Sequence, residues 1–262
     1  MRLAKMIDLE LHEARKLGDV ARYVSARQIR FKNSPFDTYR NTVMSKILSC
    51  KSSGKVLEIG SNTGIMTKLY EANFTRIVLC DCDFFCLKGA KLNHGDNSQK
   101  IKFVCADAGD LPFKDAYFDI VIILEVIEHL HKDRHIQLLE EVLRVCRSGA
   151  SVFISTPNNF SLPSMEGKLM ELLIRGFKWN AWDDTHQYIY SSWDFIRFLK
   201  CFNVKIAYFL GFYFLPGSLL VRMPVFVQKI LGYFSYLISY LFGRYFPLCY
   251  VGFTTIVKVT KS

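Results

Sequence analysis

The chain has 262 residues, half of them apolar, and 34 Lys and Arg against 24 Asp and Glu give a formal net charge of +10. That is enough for a full hydrophobic core in one large domain, or one domain with an elaboration. Residues 1–31 mix charges and lack the apolar run of a secretory leader, and the eight cysteines show no CxxC pair or zinc spacing. The composition therefore excludes a disulfide scaffold or zinc module and points to reduced thiols in a cytoplasmic chain.

Residues 1–30 read as helical, with apolar residues near helical spacing, until Asn33-Ser34-Pro35 interrupts them. A second helix is expected over 39–50, and strands and helices then alternate. Strands are expected at 55–59, 76–80, 101–105, 118–124 and 151–155. Helices are expected at 65–72, 84–92 and 134–146, the last ended by Arg147-Ser148-Gly149. An irregular, partly helical insertion follows over 157–192, containing Trp179, Trp182 and His186. A helix over 193–201 and strands at 204–209 and 251–260 complete the pattern, with a long apolar insertion over 210–250. Alternation of this kind predicts an α/β fold: a Rossmann-like, seven-stranded, mostly parallel sheet with helices on both faces. The expected organisation is an N-terminal helical segment (1–35), a core (36–209), the apolar helical insertion (210–250) and a final strand and tail (251–262).

The stretch Val56-Leu57-Glu58-Ile59-Gly60-Ser61-Asn62-Thr63-Gly64 carries the most chemistry. A buried strand running into a glycine turn is where an α/β sheet grips a nucleoside. Gly60 lets the backbone turn, and Gly64 allows close approach. The GxGxxG dinucleotide pattern is absent. The carboxylate of Glu58 would repel a pyrophosphate and suits a ligand with a cationic end, such as the amino group of S-adenosylmethionine.

Together with three later motifs, this stretch strongly resembles the class I S-adenosylmethionine-dependent methyltransferases, over roughly residues 36–209. The family usually has a glycine where Asn62 stands, and Asn is the next-best residue for a left-handed backbone. The resemblance implies S-adenosylmethionine as cofactor. Asp81, ending the second strand, would accept from the ribose hydroxyls, with Cys82 beside it. An N-cap is the other reading of Asp81, whereas Asp83 is expected to cap the next helix. Asp107 would accept from the adenine amino group, and the backbone N–H of Ala108 would meet a ring nitrogen. Leu124 and Glu125, ending the fourth strand, would face the methionine part. Arg40 matches an arginine of ubiquinone-pathway O-methyltransferases that reaches the cofactor carboxylate, or else lies on a solvated helix face.

Glu125, Glu128 and His129 follow at i, i+3 and i+4, so one helical turn would bring them together. Two carboxylates and an imidazole can hold Mg²⁺ or another divalent metal. The alternatives are a metal-free general base at His129 or His186, with Glu128 assisting, or local structural hydrogen bonds. Ubiquinone-biosynthesis O-methyltransferases carry this pattern. So do the small-RNA 3′-terminal 2′-O-methyltransferases, with a histidine some sixty residues later, as His186 stands after His129.

The last third carries eight Lys and Arg against one acid from Thr185 to Ser262, and is the most aromatic part. Fourteen uncharged residues, 230–243, lie between Lys229 and Arg244. That is short for a span and suits an interfacial helix, with Arg222, Lys229 and Arg244 on anionic phosphates. A lid, a homodimer surface and a true span are the alternatives. The segment 157–182 adds apolar groups, among them Phe160, Leu162, Met165, Leu169, Leu172, Phe177 and Trp179. The expected reaction is methylation of a hydroxyl on a lipid-like, polyprenyl or glycan acceptor, peripheral to the inner face of an anionic membrane. RNA 3′-terminal methylation is the second reading, and a non-catalytic membrane scaffold the third. The tail's aromatics lie among aliphatics rather than interleaved with arginines, which argues against nucleic acid.

Overall fold

The computed structural model describes residues 2–33, 42, 44–48, 52–95, 100–176, 178–181, 183–214 and 223–262. Arg40, Phe177, Trp182 and Arg222 lie outside the described residues. The expected first helix is two, α1 (Arg2–Lys16) and α2 (Val20–Asn33), parted at Gly18 with φ +68°. The side chain of Asp19 accepts from the Arg22 N–H to start α2.

Seven strands form one sheet in the order β3-β2-β1-β4-β5-β7-β6. They are β1 (Ser52–Ile59), β2 (Phe74–Asp81), β3 (Ile101–Cys105), β4 (Phe118–Leu124), β5 (Cys146–Pro157), β6 (Val204–Phe212) and β7 (Thr254–Lys261). The first five pair in parallel, and β7 runs antiparallel between β5 and β6. Alternation along each strand divides the core in two. Leu57, Ile59, Val121, Ile123, Val152 and Ile154 face α4 (Arg134–Val145) and α6 (Ser192–Lys200). Val56, Ile77, Leu79, Ile122 and Phe153 pack on the other side with Met44, Leu48, Tyr70 and Ala90 of α3 (Phe84–His94). Both faces are covered, which explains why these strands read as unbroken apolar runs.

Three expectations change. The stretch after the glycine turn is two short 3₁₀ turns, Thr67–Leu69 and Glu71–Asn73, instead of an α-helix. Gly149 does not stop a helix, because α4 already ends at Val145. It sits at φ +76° within β5, where the register against β4 shifts. Residues 248–251 are a short helix, α8 (Leu248–Val251), so the last strand begins later than the sequence pattern implied.

The insertions are helical. After β5 comes α5 (Leu162–Leu173), capped by the Ser161 hydroxyl, which accepts from Ser164 N–H. After β6 comes α7 (Val225–Phe242). Its polarity is reversed. Ser235 and Ser239 face the sheet, and their hydroxyls accept from the backbone N–H groups of Phe214 and Tyr213. Phe226, Ile230, Phe234, Leu241 and Phe242 point outward, Phe234 with 56% of its surface exposed and Ser239 with none. Among the described residues no helix is long and apolar enough to cross a membrane.

Candidate active site

Strand β1 delivers the chain to Gly60, at φ +70°, whose N–H and that of Ser61 both donate to the Cys80 carbonyl at 2.8 and 3.1 Å. A Cβ on Gly60 would lie 2.3 Å from Cγ2 of Val126, so only glycine lets this loop approach the end of β4. Asn62 takes the left-handed conformation expected of it, φ +48°, and its Oδ1 accepts from the Thr63 N–H at 2.8 Å. Gly64, at φ +67°, is held from α3, where His94 Nε2 donates to its carbonyl at 2.8 Å.

The carboxylates are not equivalent. Glu58 is buried and accepts from the hydroxyls of Thr67, at 2.5 Å, and Tyr70. Burial pushes its pKa up to about 7 against the opposing effect of those two hydrogen bonds. Its side chain therefore braces the loop from within. Asp81 ends β2 with Oδ2 on the Asn62 N–H at 2.7 Å and Oδ1 on the Asp83 N–H at 2.9 Å. Burial raises its pKa as well. Asp83 caps α3 through the Phe85 N–H and pairs with Arg15 of α1. Cys82 is exposed beside Asp81. Asp107 receives a two-pronged contact from Arg134 of α4, at 2.8 and 3.1 Å, and accepts from Gly109 N–H at 2.7 Å. The guanidinium holds its carboxyl below the usual range. Ala108 continues this turn, half-buried.

At the end of β4, beyond the half-buried Leu124, Glu125 sits at φ +55°. This is a costly conformation for a non-glycine residue. Its N–H donates to the Ser155 carbonyl, and its Oε1 accepts from the Ser155 hydroxyl at 2.6 Å. Glu125 is therefore drawn toward β5, while the 3₁₀ turn Ile127–His129 presents the next two residues. The sequence spacing assumed a continuous helical turn, and the positive φ breaks it. Glu128 is fully buried, and among the described residues neither carboxyl oxygen has a partner at full hydrogen-bond geometry, Thr156 being the hydroxyl that acts on it. Burial, and then the charge of Glu125, push its pKa well up.

The carbonyl of Glu128 accepts from the N–H groups of Gln187 (2.7 Å) and Tyr188 (3.2 Å), which fastens the later segment against this turn. His186 thereby lies beside His129, ring centroids 4.8 Å apart. Potential ligand atoms of Glu128, His129 and His186 all fall within 4.8 Å of one another. Glu125 is not in that group, so the cluster exchanges it for His186. The Thr185 hydroxyl, 2.6 Å from Asp183 Oδ1, donates to that carboxylate and accepts from His129 Nδ1–H at 2.9 Å. His186 Nδ1 donates to the Asn180 carbonyl at 2.8 Å. Both imidazoles are thus fixed with Nε2 as the lone-pair nitrogen. Burial lowers the pKa of His129, and His186 beside it lowers it further. Asp183 was not singled out from sequence; its signal is the Asp-x-Thr-His spacing, which allows a short side chain to turn back onto its neighbour. Asn158 was missed too. Fully buried after β5, it donates to the carbonyls of Phe160, Tyr250 and Gly252 and accepts from Ser192 N–H, tying α5, α6 and α8 together.

A glycine cradle, a carboxylate at the end of β2, a second after β3 and acid–histidine groups after β4 occupy one end of a 3-2-1-4-5-7-6 sheet. The sequence family described as "Methyltransferase domain" matches residues 57–154, which hold all of these except His186. Over those residues the chain is similar to this methyltransferase family. An uncharacterized protein of Methanocaldococcus jannaschii is 27% identical over 180 residues, 69% of this chain and 68% of its own. A demethylmenaquinone methyltransferase of Paenarthrobacter aurescens is 30% identical over 128 residues, 49% of this chain and 48% of its own. The norajmaline N-methyltransferase of Rauvolfia serpentina is 26% identical, over 65% of this chain and 55% of its own. The methyltransferase matches thus span about half the length of those curated relatives. In fold, the chain is similar to a SAM-dependent methyltransferase from Archaeoglobus fulgidus, at TM-score 0.54 and 18% identity over 91% of this chain and 100% of the other. It is also similar to the N-methyltransferase NodS of Bradyrhizobium japonicum, solved with S-adenosyl-L-homocysteine, at TM-score 0.57 and 12% identity over 88% and 90%.

Proposed function

We propose that this protein transfers a methyl group from S-adenosylmethionine to an oxygen of a lipid-like acceptor at a membrane surface. The observation that carries the acceptor class is the reversed polarity of α7, whose serines face the protein while its aromatic and aliphatic side chains face outward. A surface helix in water does the opposite. On α5, Leu162, Met165, Leu169 and Leu172 are also exposed, and this helix follows the carboxyl end of β5, on the side of the sheet that bears the site. Relatives named for demethylmenaquinone methylation and for ubiquinone and menaquinone biosynthesis support an apolar acceptor.

The residues fit the cofactor. Gly60 and Gly64 leave a cradle that a Cβ would fill, and Asp81 at the end of β2 and Asp107 after β3 are the carboxylates we assign to ribose and adenine. S-adenosylmethionine, when bound, supplies a methyl carbon activated by its sulfonium and leaves as the neutral thioether. His129 Nε2 accepts the acceptor's hydroxyl proton, while Thr185 and Asp183 hold the ring and stabilise the imidazolium that results. Glu128 is fully buried beside it, and burial pushes its pKa well up. The same cluster also fits a divalent cation, because a buried carboxyl oxygen of Glu128 lies within 4.8 Å of a ring nitrogen of each of His129 and His186. That cation would supply Lewis-acid polarisation of an acceptor oxygen.

Methyl-labelled S-adenosylmethionine, the protein and an extract of its source cells, with and without EDTA, test this reading. Label is expected in the organic-soluble fraction. Label confined to RNA and abolished by EDTA would overturn it in favour of 3′-terminal RNA methylation. Tight cofactor binding with no transfer to any fraction would leave the scaffold reading. The EDTA arm also reports whether the cluster works with a metal or as a base.

A further inference from the structure

A small cavity of about 70 Å³ lies between the sheet and the C-terminal half of α7. Lys46, Arg244, Tyr208 and Tyr240 line it, with two cations and no carboxylate among its described lining residues. The Lys46 ammonium lies 4.2 Å from the centroid of the Tyr240 ring and donates to the Tyr236 hydroxyl at 2.8 Å. The Arg244 guanidinium lies 4.1 Å from the centroid of Tyr208. Aromatic faces hold both charges in place. Arg244 makes no ion pair with any described carboxylate. Tyr208 sits in the sheet row Glu58–Ile122–Phe153–Lys258–Tyr208, four strands away from the glycine loop, so the cavity is separate from the methyl-transfer site.

We infer that this cavity binds a phosphate group, and that its source is the headgroup of an acidic phospholipid. Two exposed cations, each lying against an aromatic face, around a space of this size, with the Tyr208 and Tyr240 hydroxyls as additional donors, match a phosphate in charge and hydrogen bonding. Arg244 lies two residues after the exposed Phe242, beyond Gly243, and precedes the exposed Tyr245 and Phe246. A helix whose apolar face enters a monolayer carries its terminal arginine and tyrosines to the depth of the phosphates. The inference rests on the membrane reading of α7 for the source of the phosphate, and not for the site itself.

Two measurements on the full chain test it. Cosedimentation with phosphatidylcholine vesicles, with and without phosphatidylglycerol, is compared for wild type, Arg244→Gln, Lys46→Gln and Lys229→Gln. Loss of any one surface charge weakens binding to acidic vesicles about fivefold. Lys229→Gln measures that general effect, and Arg244→Gln and Lys46→Gln are expected to exceed tenfold. Thermal unfolding is then followed with inorganic phosphate against chloride at matched ionic strength. Phosphate is expected to raise the midpoint of wild type and not of Arg244→Gln. If Arg244→Gln behaves like Lys229→Gln on vesicles and phosphate has no effect, the site is overturned while the membrane reading stands. If no vesicle binds but phosphate protects wild type alone, the phosphate site holds and the lipid source is overturned, along with the membrane reading of α7.

Discussion

Replacing Glu58 with Gln tests whether the buried carboxylate is a neutral acid over much of the pH range. A carboxyl raised from 4.5 to about 7 binds its proton more tightly in the folded chain than in the unfolded one. The folded state then holds more protons between those two values, so the contribution of this group is greatest below pH 4.5 and falls as pH rises through 7. The full difference corresponds to ~3 kcal/mol, and most of it falls between pH 5 and pH 8. A Gln in its place still accepts from Thr67 and Tyr70, but it does not titrate. Its amide N–H groups replace an oxygen, and leaving one without an acceptor would cost about 1–3 kcal/mol at every pH. The informative quantity is therefore the pH dependence of the wild-type-minus-variant difference, in which Glu128 and all other titrating groups cancel. Urea unfolding of both proteins from pH 5 to pH 8 should show wild type losing ~2–3 kcal/mol more than the variant over that interval. Parallel stability curves would refute the argument and mean that Glu58 is ionised at neutral pH, held by its two hydroxyl partners.

Other expectations follow from the same geometry. Gly60→Ala should lower both stability and S-adenosylmethionine affinity by more than tenfold in binding, since it forces a Cβ against Val126 at a positive φ. Adding Val126→Ala should restore only part, as titration calorimetry and thermal unfolding would report. Thr185→Val and Asp183→Asn should each lower kcat of methyl transfer by about tenfold or more while leaving cofactor affinity unchanged. The double variant should be no worse than the poorer single one, because both act through His129. With its pKa lowered, His129 should give a pH profile of kcat/KM whose acid limb lies below the ordinary histidine value of 6.5. On α7, Phe234→Ser should leave stability within ~0.5 kcal/mol and weaken vesicle binding, whereas Ser239→Leu should destabilise the fold by ~1–3 kcal/mol.

The strands were legible because each is a short apolar run closed by a polar residue or glycine, and the spans of β3 and β4 match their sequence patterns residue for residue. Asn62 and Asp83 were legible because their conformation and capping role are local chemistry. The place of Gly149 was not, because a glycine after a helical pattern signals a cap equally well. Glu125 illustrates the limit more sharply. Its spacing to Glu128 fits a helical turn, but the Ser155 main chain and hydroxyl hold it at φ +55°, and that contact spans thirty positions of sequence. The meeting of His129 with His186 could be anticipated only as a motif. The contact that makes it, Gln187 and Tyr188 on the Glu128 carbonyl, is backbone and leaves no residue signature. The polarity of α7 was hidden for the opposite reason, since a helix apolar on most sides does not reveal which stripe faces inward.

The insertion of β7 between β5 and β6 has a consequence for how the chain is made. Synthesis delivers β6 well before β7, since β6 ends at Phe212 and β7 starts at Thr254. Until β7 emerges, β5 is an unpaired edge, and β6 has no neighbour in the sheet at all. During that interval the apolar helix α7 is already outside the ribosome, with two open strand edges nearby. Pairing over such sequence distances is slow and exposes the nascent chain to aggregation. The segment α7 is then the one whose early capture, by a bilayer or a holding chaperone, would most change the yield of folded protein.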